Sequence, residues 1–319
     1  MADCLIIGGG FIGSHVARLL AKEGHSVTVY SRSFGDLIAD MESPKIRKVR
    51  GEIPPAEALA ELIAATDLVL YLAGGSTPAG SLTDPGGSVA LSVVPATAVL
   101  DLMCTTSTRR IVLASSGGQV YGEPHYRPTP ESHPTEPITI HGHNALTIER
   151  YAAFYARRNG LEPVILRYSN PYGPGQQARR GQGVVAAWAV ALAREKPLVL
   201  YGEPAQVRRD FVYASDAAEA TVLAGFDASP GIYNVGAGRS HSLEEVLGVL
   251  TTVSGRQAQI IQEPMRSVDL SVTELDCSRI HAETGWQAST ELRSGLGATW
   301  AHALSQAHQD HTPSARMVG

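Results

Sequence analysis

The sequence predicts an α/β protein with a doubly wound parallel sheet and a smaller carboxyl-terminal lobe. Two observations support this fold class. Short apolar runs with the length of buried strands alternate with helical segments between residues 4 and 168, which is the pattern of a parallel sheet covered by helices on both faces. The first apolar run also ends in a cluster of glycines that leads directly into a helix, as in proteins that hold a phosphate group at a helix N-terminus.

The glycine cluster follows the first predicted strand, residues 4–7, and has the spacing G-x-G-x-x-G. Gly8 permits the tight turn, Gly10 lets backbone amides approach a pyrophosphate, and Gly13 lets the helix pack closely against the strand. Glycine-rich turns of this spacing also occur without a ligand. The position in the first strand–helix unit is therefore what favours a dinucleotide site.

The end of the second predicted strand, residues 25–30, bears on the choice of cofactor. NAD-binding sites usually carry a carboxylate here for the ribose hydroxyls, whereas this chain continues with Arg32 between two serines. An arginine in that place either binds the 2′-phosphate of NADP or is a solvated loop residue. The cofactor is therefore expected to be NADP or NAD. Besides the three glycines and Arg32, the residues expected to contact it are Phe11, Ile12, Ser31, Glu52, Ile53, Ala73 and Tyr168.

The remaining predicted elements divide the chain into two parts. Residues 1–168, with a return segment at about 209–238, form the dinucleotide-binding part, and residues 169–208 and 239–303 form a substrate-binding lobe. The polar tail at 304–319 has no hydrophobic period and is expected to be disordered. Further strands are predicted at residues 48–53, 67–75 and 163–168 and from residue 110, and helices at 55–65, 88–107 and 144–158.

Composition argues against several classes of function. The net charge of −5 shows no basic bias, which argues against a nucleic-acid partner. Hydrophobic residues make up 44% of the chain and charged residues 18%, as in soluble globular enzymes. No apolar run is expected to reach the length of a membrane span and no leader peptide precedes the first strand, so we expect a cytoplasmic protein without a membrane partner. The cysteines Cys4, Cys104 and Cys277 lack a metal-binding spacing, and no metal site is expected.

Six motifs, in this order, resemble the extended short-chain dehydrogenases/reductases, and among them the nucleotide-sugar epimerase and dehydratase group. They are the glycine turn and the segments 115–122, 167–176, 208–213, 234–236 and 266–269. The resemblance covers roughly residues 3–300. It implies a Rossmann sheet, a nicotinamide cofactor, a nucleotide-sugar substrate and a homodimer that packs two helices from each subunit, here those at 88–107 and 144–158. The turn departs from the family in one place, where Ile7 replaces a further glycine.

The resemblance also implies how the substrate is bound. Asn170 would hydrogen-bond the sugar diphosphate, and Asp269 would accept hydrogen bonds from the nucleoside ribose. Arg209 and Arg266 would pair with the phosphate oxygens, for which the planar guanidinium is well suited. The alternative for these charges is a local Arg209–Asp210 ion pair and a helix-spaced pair of Arg266 with Asp269 on the surface.

The catalytic positions depart from the family pattern. The family uses a tyrosine and a lysine spaced Y-x-x-x-K at the start of a helix, and here His141 and Ala145 occupy these places. Gly117 stands where a serine or threonine is frequent, and Ser115 and Ser116 beside it remain the candidate hydroxyl groups. An imidazole titrates near pH ~6.5 and can act as an acid or base without a neighbouring lysine. His141 is therefore either the working acid–base group or a residue of a site that no longer performs redox chemistry.

Three functions remain open at this point. The first is an epimerase that removes and returns a hydride at a carbon of a UDP- or dTDP-hexose, with His141 in place of the usual tyrosine. The second is an NADP-dependent ketosugar reductase, which Arg32 favours. The third is a non-catalytic or disabled homologue that binds the nucleotides without turning them over.

Overall fold

Strands and helices alternate along the chain in the computed structural model, which describes residues 1–53, 57–75, 77–178 and 183–311. The described residues form twelve strands and eleven helices. The strands are β1 (Asp3–Ile7), β2 (Ser26–Ser31), β3 (Ile46–Arg50), β4 (Leu68–Tyr71), β5 (Arg110–Ser116), β6 (Glu162–Tyr168), β7 (Asn170–Tyr172), β8 (Leu198–Tyr201), β9 (Arg208–Tyr213), β10 (Gly231–Val235), β11 (Ser240–Ser242) and β12 (Ile260–Glu263). The helices are α1 (Phe11–Lys22), α2 (Asp36–Ala39), α3 (Glu57–Ala64), α4 (Pro78–Thr83), α5 (Pro85–Met103), α6 (Ile140–Asn159), α7 (Val184–Ala193), α8 (Ala214–Asp227), α9 (Leu243–Ser254), α10 (Ser278–Thr284) and α11 (Leu292–His311).

Seven strands form one parallel sheet in the order β10-β6-β5-β4-β1-β2-β3. β1 lies inside this sheet, with β2 on one side and β4 on the other. After β3 the chain crosses to the far side of β1, and the strand order therefore reverses between β1 and β4. Ligands of such sheets bind beyond the carboxyl ends of the strands at this reversal. The predicted doubly wound sheet is confirmed.

Alternating side chains along the strands build two separate hydrophobic layers. In β1, Cys4 and Ile6 belong to the layer formed with α1 and α8, whereas Leu5 and Ile7 belong to the layer formed with α3, α5 and α6. All four side chains are at most 2% exposed. A strand buried on both faces needs apolar residues at every position, which explains its continuous apolar sequence.

The smaller lobe contains two short sheets. β11, β9 and β7 form one of them, and β12 pairs with β8 in the other. The helices α7, α9 and α11 pack with these sheets around a core that includes Trp188 and Trp300. Because β9 belongs to the lobe, the predicted return segment at 209–238 is too long. Of this segment, β10 joins the large sheet, α8 packs against one face of it, and β9 pairs within the lobe.

The carboxyl-terminal segment corrects a second expectation. Residues 304–311 of the predicted disordered tail are the last part of α11, whereas residues 312–319 lie outside the described part of the chain. Ala307 is buried, and Gln306 Nε2 donates a 2.7 Å hydrogen bond to Asp36 Oδ2 in α2. Contacts with other elements therefore hold a segment whose own sequence shows no hydrophobic period.

Several predicted helices have shifted boundaries. The helix predicted at 55–65 corresponds to α3, and its first residues lie outside the described part. The helix predicted at 88–107 is α5, which begins earlier because Asp84 Oδ1 accepts a 2.9 Å hydrogen bond from Gly87 N. The helix predicted at 144–158 also begins earlier, as α6, and this shift matters for the site.

One long helix contradicts the expectation that no apolar run reaches the length of a membrane span. α5 has 19 residues and a mean hydropathy of 1.5, so it qualifies by length and composition. Only 39% of its apolar window is buried inside the subunit. It packs against α6 and α4, and a helix of this composition also occurs in the core or at an interface of a soluble protein.

Candidate functional site

The turn between β1 and α1 has the shape that a dinucleotide requires. Gly8 has φ = +112°, and a Cβ there would lie 2.5 Å from the backbone nitrogen of Ala73, so only glycine fits. A Cβ on Gly13 would lie 1.9 Å from the carbonyl oxygen of Gly8, because α1 packs directly against the turn. Among the described residues no heavy atom comes within 4 Å of a Cβ built on Gly10. The backbone at this position therefore faces open space that a pyrophosphate could enter.

A groove of about 520 Å³ lies at the carboxyl ends of β1, β2, β3 and β4. The predicted cofactor residues that line it are Gly8, Gly10, Phe11, Ile12, Ser31, Arg32, Glu52, Ile53 and Ala73. They are separated in sequence, and the parallel sheet brings them to one edge. The residues present thus fit a nicotinamide dinucleotide, with its pyrophosphate against the glycine turn.

Tyr168 is a correction to the predicted cofactor residues. Its side chain is only 6% exposed and belongs to the hydrophobic layer between the sheet and α8. Its hydroxyl lies 2.7 Å from Oγ1 of Thr221 in α8, and burial raises the pKa of the phenol. Side chains alternate between the two faces of β6, and position 168 lies on the face that is turned away from the groove.

A second cavity of about 490 Å³ lies between the large sheet and the smaller lobe. The predicted residues that line it are Ser116, His141, Asn170, Arg209, Arg266 and Asp269. Gln176 and Gly183 line both this cavity and the groove. The two spaces therefore adjoin, so that ligands bound in each would meet.

His141 reaches the second cavity from the first turn of α6. The helix begins at Ile140 because Oγ1 of Thr139 accepts a 3.0 Å hydrogen bond from Gly142 N. The backbone N–H of His141 donates to Oγ of Ser81 in α4 at 3.1 Å, which fixes the position of this turn. The side chain is partly buried and forms part of the cavity wall.

The two candidate serines of β5 face opposite ways, which corrects one of them. The Ser115 hydroxyl donates to Glu149 Oε1 at 2.5 Å, and Glu149 forms a buried ion pair with Arg167 at 2.6 Å. Ser115 is therefore part of a structural network behind the sheet edge. Ser116, one residue later, lines the cavity and is the only one of the two that a substrate could contact.

Ala145 occupies the position of the family's catalytic lysine and brings no charge there. Ala145 packs beside a small hydrophobic cluster that contains Val120, Leu146 and Leu275. Among the described residues that line the groove and the cavity, none is a lysine. The lysine that would lower the pKa of a catalytic phenol at position 141 is therefore missing from the described part of this wall.

Arg209 does not form an ion pair with Asp210, the next residue in the sequence. Its Nη1 donates to the carbonyl oxygen of Ser271 at 3.1 Å, and burial lowers the pKa of the guanidinium. The Asp210 carboxylate instead accepts hydrogen bonds from the backbone nitrogens of Ala237 at 2.6 Å and Leu275 at 3.1 Å. Burial raises the pKa of Asp210 to about 6. The local Arg209–Asp210 pair is thus the wrong alternative.

Arg266 and Asp269 do form a pair, but in a turn at the cavity edge and not along a helix. Arg266 Nε and Nη2 donate to Asp269 Oδ2 and Oδ1, both at 2.7 Å. The backbone N–H of Asp269 also donates to the carbonyl oxygen of Arg266 at 3.0 Å, which closes the turn. The guanidinium carbon lies 4.5 Å from the centroid of the Tyr201 ring. This geometry presents a fixed guanidinium to the cavity, and Asp269 is already engaged by it.

Sequence reasoning missed several residues of the cavity wall. Gln176 lies where groove and cavity meet, and its Nε2 donates to the carbonyl oxygen of Pro171 at 2.9 Å. The side-chain Oε1 of Gln176 is buried and has no hydrogen-bond partner among the residues that the structure describes. The preceding Gly173–Pro174–Gly175 turn was a signal that could have drawn attention to it. Trp188 and Tyr201 also line the wall, and no local motif marks them.

Comparisons with known proteins agree with this geometry. The profile described as the NAD dependent epimerase/dehydratase family matches residues 4–236. A UDP-glucose 4-epimerase from Mycolicibacterium smegmatis is 29% identical over 297 residues, which cover 91% of this chain and 94% of that protein. The structure of the Thermotoga maritima UDP-glucose 4-epimerase with UDP-glucose has a TM-score of 0.87 and 26% identity, covering 95% of this chain and 99% of that chain. The Thermus thermophilus UDP-glucose 4-epimerase in complex with NAD has a TM-score of 0.86 and 29% identity, covering 94% of this chain and 98% of that chain.

Proposed function

The chain belongs to the NAD-dependent epimerase/dehydratase family, and we propose that it is a nucleotide-sugar epimerase in which His141 performs the acid–base step. Family membership confirms the resemblance drawn from the sequence motifs and, with it, a nicotinamide cofactor. The relative from Thermotoga maritima was crystallised with UDP-glucose. On the basis of that complex, we propose that this chain also acts on a nucleotide sugar, a UDP- or dTDP-hexose.

The observation that carries the proposal is the junction of the groove and the cavity at Gln176 and Gly183. A nicotinamide dinucleotide with its pyrophosphate at the glycine turn would lie in the groove. A nucleotide sugar with its diphosphate near Arg209 and Arg266 would lie in the cavity. The sugar would then be near His141 on the cavity wall.

In the proposed epimerisation, the residues of this chain transfer a proton and stabilise charge. The nicotinamide, when bound, supplies a hydride acceptor and donor. An unprotonated ring nitrogen of His141 takes the proton of the sugar hydroxyl as the carbon is oxidised. The same nitrogen returns the proton after the ketosugar has rotated in the cavity. The Ser116 hydroxyl hydrogen-bonds the same sugar oxygen, and the two arginines hold the diphosphate while the sugar rotates.

A non-catalytic or disabled homologue is a further candidate, supported by Ala145 and Gly117, which supply neither the charge nor the hydroxyl of the family pattern. A protein that binds both nucleotides without turnover would need only the groove and the cavity. An NADP-dependent ketosugar reductase is supported by Arg32 at the groove. It would consume cofactor in step with sugar, whereas an epimerase would not.

Substitutions at His141 test the epimerase. With UDP-glucose as substrate, His141→Ala should lower turnover by about 10²–10⁴-fold, the contribution of a positioned acid–base group. His141→Tyr should also be slow, because without a lysine at position 145 the phenol stays protonated at neutral pH. Adding Ala145→Lys to His141→Tyr should restore turnover. The assay follows both the sugar product and the absorbance of reduced cofactor.

The neighbouring His143→Ala is the matched control, since His143 lies on the same helix turn and is exposed. It should leave turnover unchanged. Turnover that survives His141→Ala would contradict the assignment of His141. Tight binding of both nucleotides with no turnover at any pH would favour the non-catalytic homologue.

A further inference from the structure

The adenosine end of the groove carries positive charge where NAD sites carry a carboxylate. Ser31 and Arg32 follow one another at the end of β2, and both line the groove. Among the described lining residues Glu52 is the single carboxylate, and it comes from the end of β3. A ribose with free hydroxyls therefore has no acidic acceptor at the end of β2.

A second arginine stands beside the first on the neighbouring strand. Arg50 is the last residue of β3 and is the direct Cα partner of Ser31 in the parallel ladder. Neighbouring strands lie roughly 4.8 Å apart, so the backbone of Arg50 lies one strand away from that of Ser31, the residue before Arg32. The Arg50 guanidinium carbon lies 5.8 Å from the centroid of the Phe34 ring, and Phe34 lines the groove. The Arg50 side chain is thus directed to the groove mouth.

The charges of both arginines remain available for a ligand. Neither guanidinium takes part in an ion pair within the described part of the chain. Both side chains are exposed. Two like charges at the ends of adjacent strands repel one another, and an anion with two negative charges between them would remove that repulsion.

We propose that Arg32 and Arg50 together bind the 2′-phosphate of an adenine dinucleotide, so that this chain prefers NADP although a structural relative was crystallised with NAD. The inference rests on the proposed use of a nicotinamide dinucleotide and adds its phosphorylation state. Two guanidiniums on separate strands give a phosphate charge-assisted hydrogen bonds from two directions. NAD lacks this phosphate, so neither guanidinium would strengthen its binding in this way.

Isothermal titration calorimetry with NADP⁺ and NAD⁺ tests the inference on the full chain. The unchanged protein should bind NADP⁺ at least about tenfold more tightly than NAD⁺. Arg50→Ala and Arg32→Ala should each weaken NADP⁺ binding by about 10- to 100-fold, the value of charge-assisted hydrogen bonds. Each substitution should change the affinity for NAD⁺ by less than about twofold. The NADP⁺ preference should also shrink with added salt.

Arg47→Ala is the matched control, because Arg47 is an exposed arginine earlier on the same strand and its loss removes the same net charge. It should leave both affinities unchanged. Equal loss for both cofactors in Arg50→Ala, or tighter binding of NAD⁺ by the unchanged protein, would overturn the inference. Epimerisation with bound NAD⁺ would then leave the proposed function standing, whereas selective NADP⁺ binding without sugar turnover would support this inference and contradict the epimerase.

Discussion

Two arginines from separate segments face one cavity, and their surroundings differ. Arg209 is desolvated and held by the carbonyl of Ser271, whereas Arg266 is bound by Asp269 and lies over Tyr201. In both cases the guanidinium is fixed before a ligand arrives. A diphosphate would therefore gain charge-assisted hydrogen bonds without the cost of ordering a free side chain.

Arg209→Ala and Arg266→Ala should each weaken UDP-glucose binding by about 1.5–3 kcal/mol, the range for hydrogen bonds to charged groups. Calorimetry with UDP-glucose measures the loss. Arg208→Ala is the control, because Arg208 precedes Arg209 in β9 and its Nη2 donates to the carbonyl oxygen of Ser240 on β11, at 2.9 Å. Unchanged affinity in both cavity variants would remove the diphosphate assignment.

At the scale of elements, a buried network ties the helix that carries His141 to the sheet. Glu149 of α6 pairs with Arg167 of β6, and their side chains are 4% and 3% exposed. Arg167 Nη1 also donates to the Tyr121 hydroxyl at 2.9 Å, and Ser115 of β5 donates to the same carboxylate. Every member is hydrogen-bonded, so that removal of one partner leaves a charge buried and unpaired.

Glu149→Gln should lower the free energy of unfolding by about 3–5 kcal/mol, because it leaves the Arg167 charge buried without its counter-charge. Denaturant unfolding followed by circular dichroism measures this. The exposed Arg256–Glu195 pair provides the comparison, and Arg256→Gln should change stability by less than about 1 kcal/mol. Equal effects of the two substitutions would show that the buried network does not hold α6 in place.

At the scale of the whole molecule, α5 and α6 pack together and present apolar side chains to the outside. Val89 and Val94 of α5 are 40% and 45% exposed. Tyr151 and Phe154 of α6 are 43% and 45% exposed. Large exposed apolar side chains are what a subunit interface would cover. These side chains lie on the two helices predicted to form the homodimer.

Val94→Glu should convert a dimer into a monomer, because burying a carboxylate in an apolar interface is costly. Sedimentation velocity at micromolar concentration measures the change. Ile261→Glu serves as the control, since Ile261 is comparably exposed (46%) on β12 in the smaller lobe. A monomeric unchanged protein, or a dimer unaffected by Val94→Glu, would contradict this interface.

The sequence by itself determined the features that depend on neighbours along the chain. The turn at Gly8 needs a positive φ, and the apolar period on either side of it is local, so strand, turn and helix could be predicted together. The replacement of tyrosine and lysine by His141 and Ala145 is likewise visible in sequence alone, since it is a matter of residue type at a known spacing.

Only the tertiary structure decided which way side chains face and which distant segments meet. Ser115 and Tyr168 both lie at the ends of strands near the site, yet Ser115 joins the Glu149 network and Tyr168 joins the core. The reason is that side chains alternate along a strand, and the packing on each face decides which of them are buried. The helix at residues 304–311 exists through packing on other elements and not through its own period. Arg50 lies next to Ser31 only because β3 pairs with β2 in that register, which no local pattern in the chain specifies.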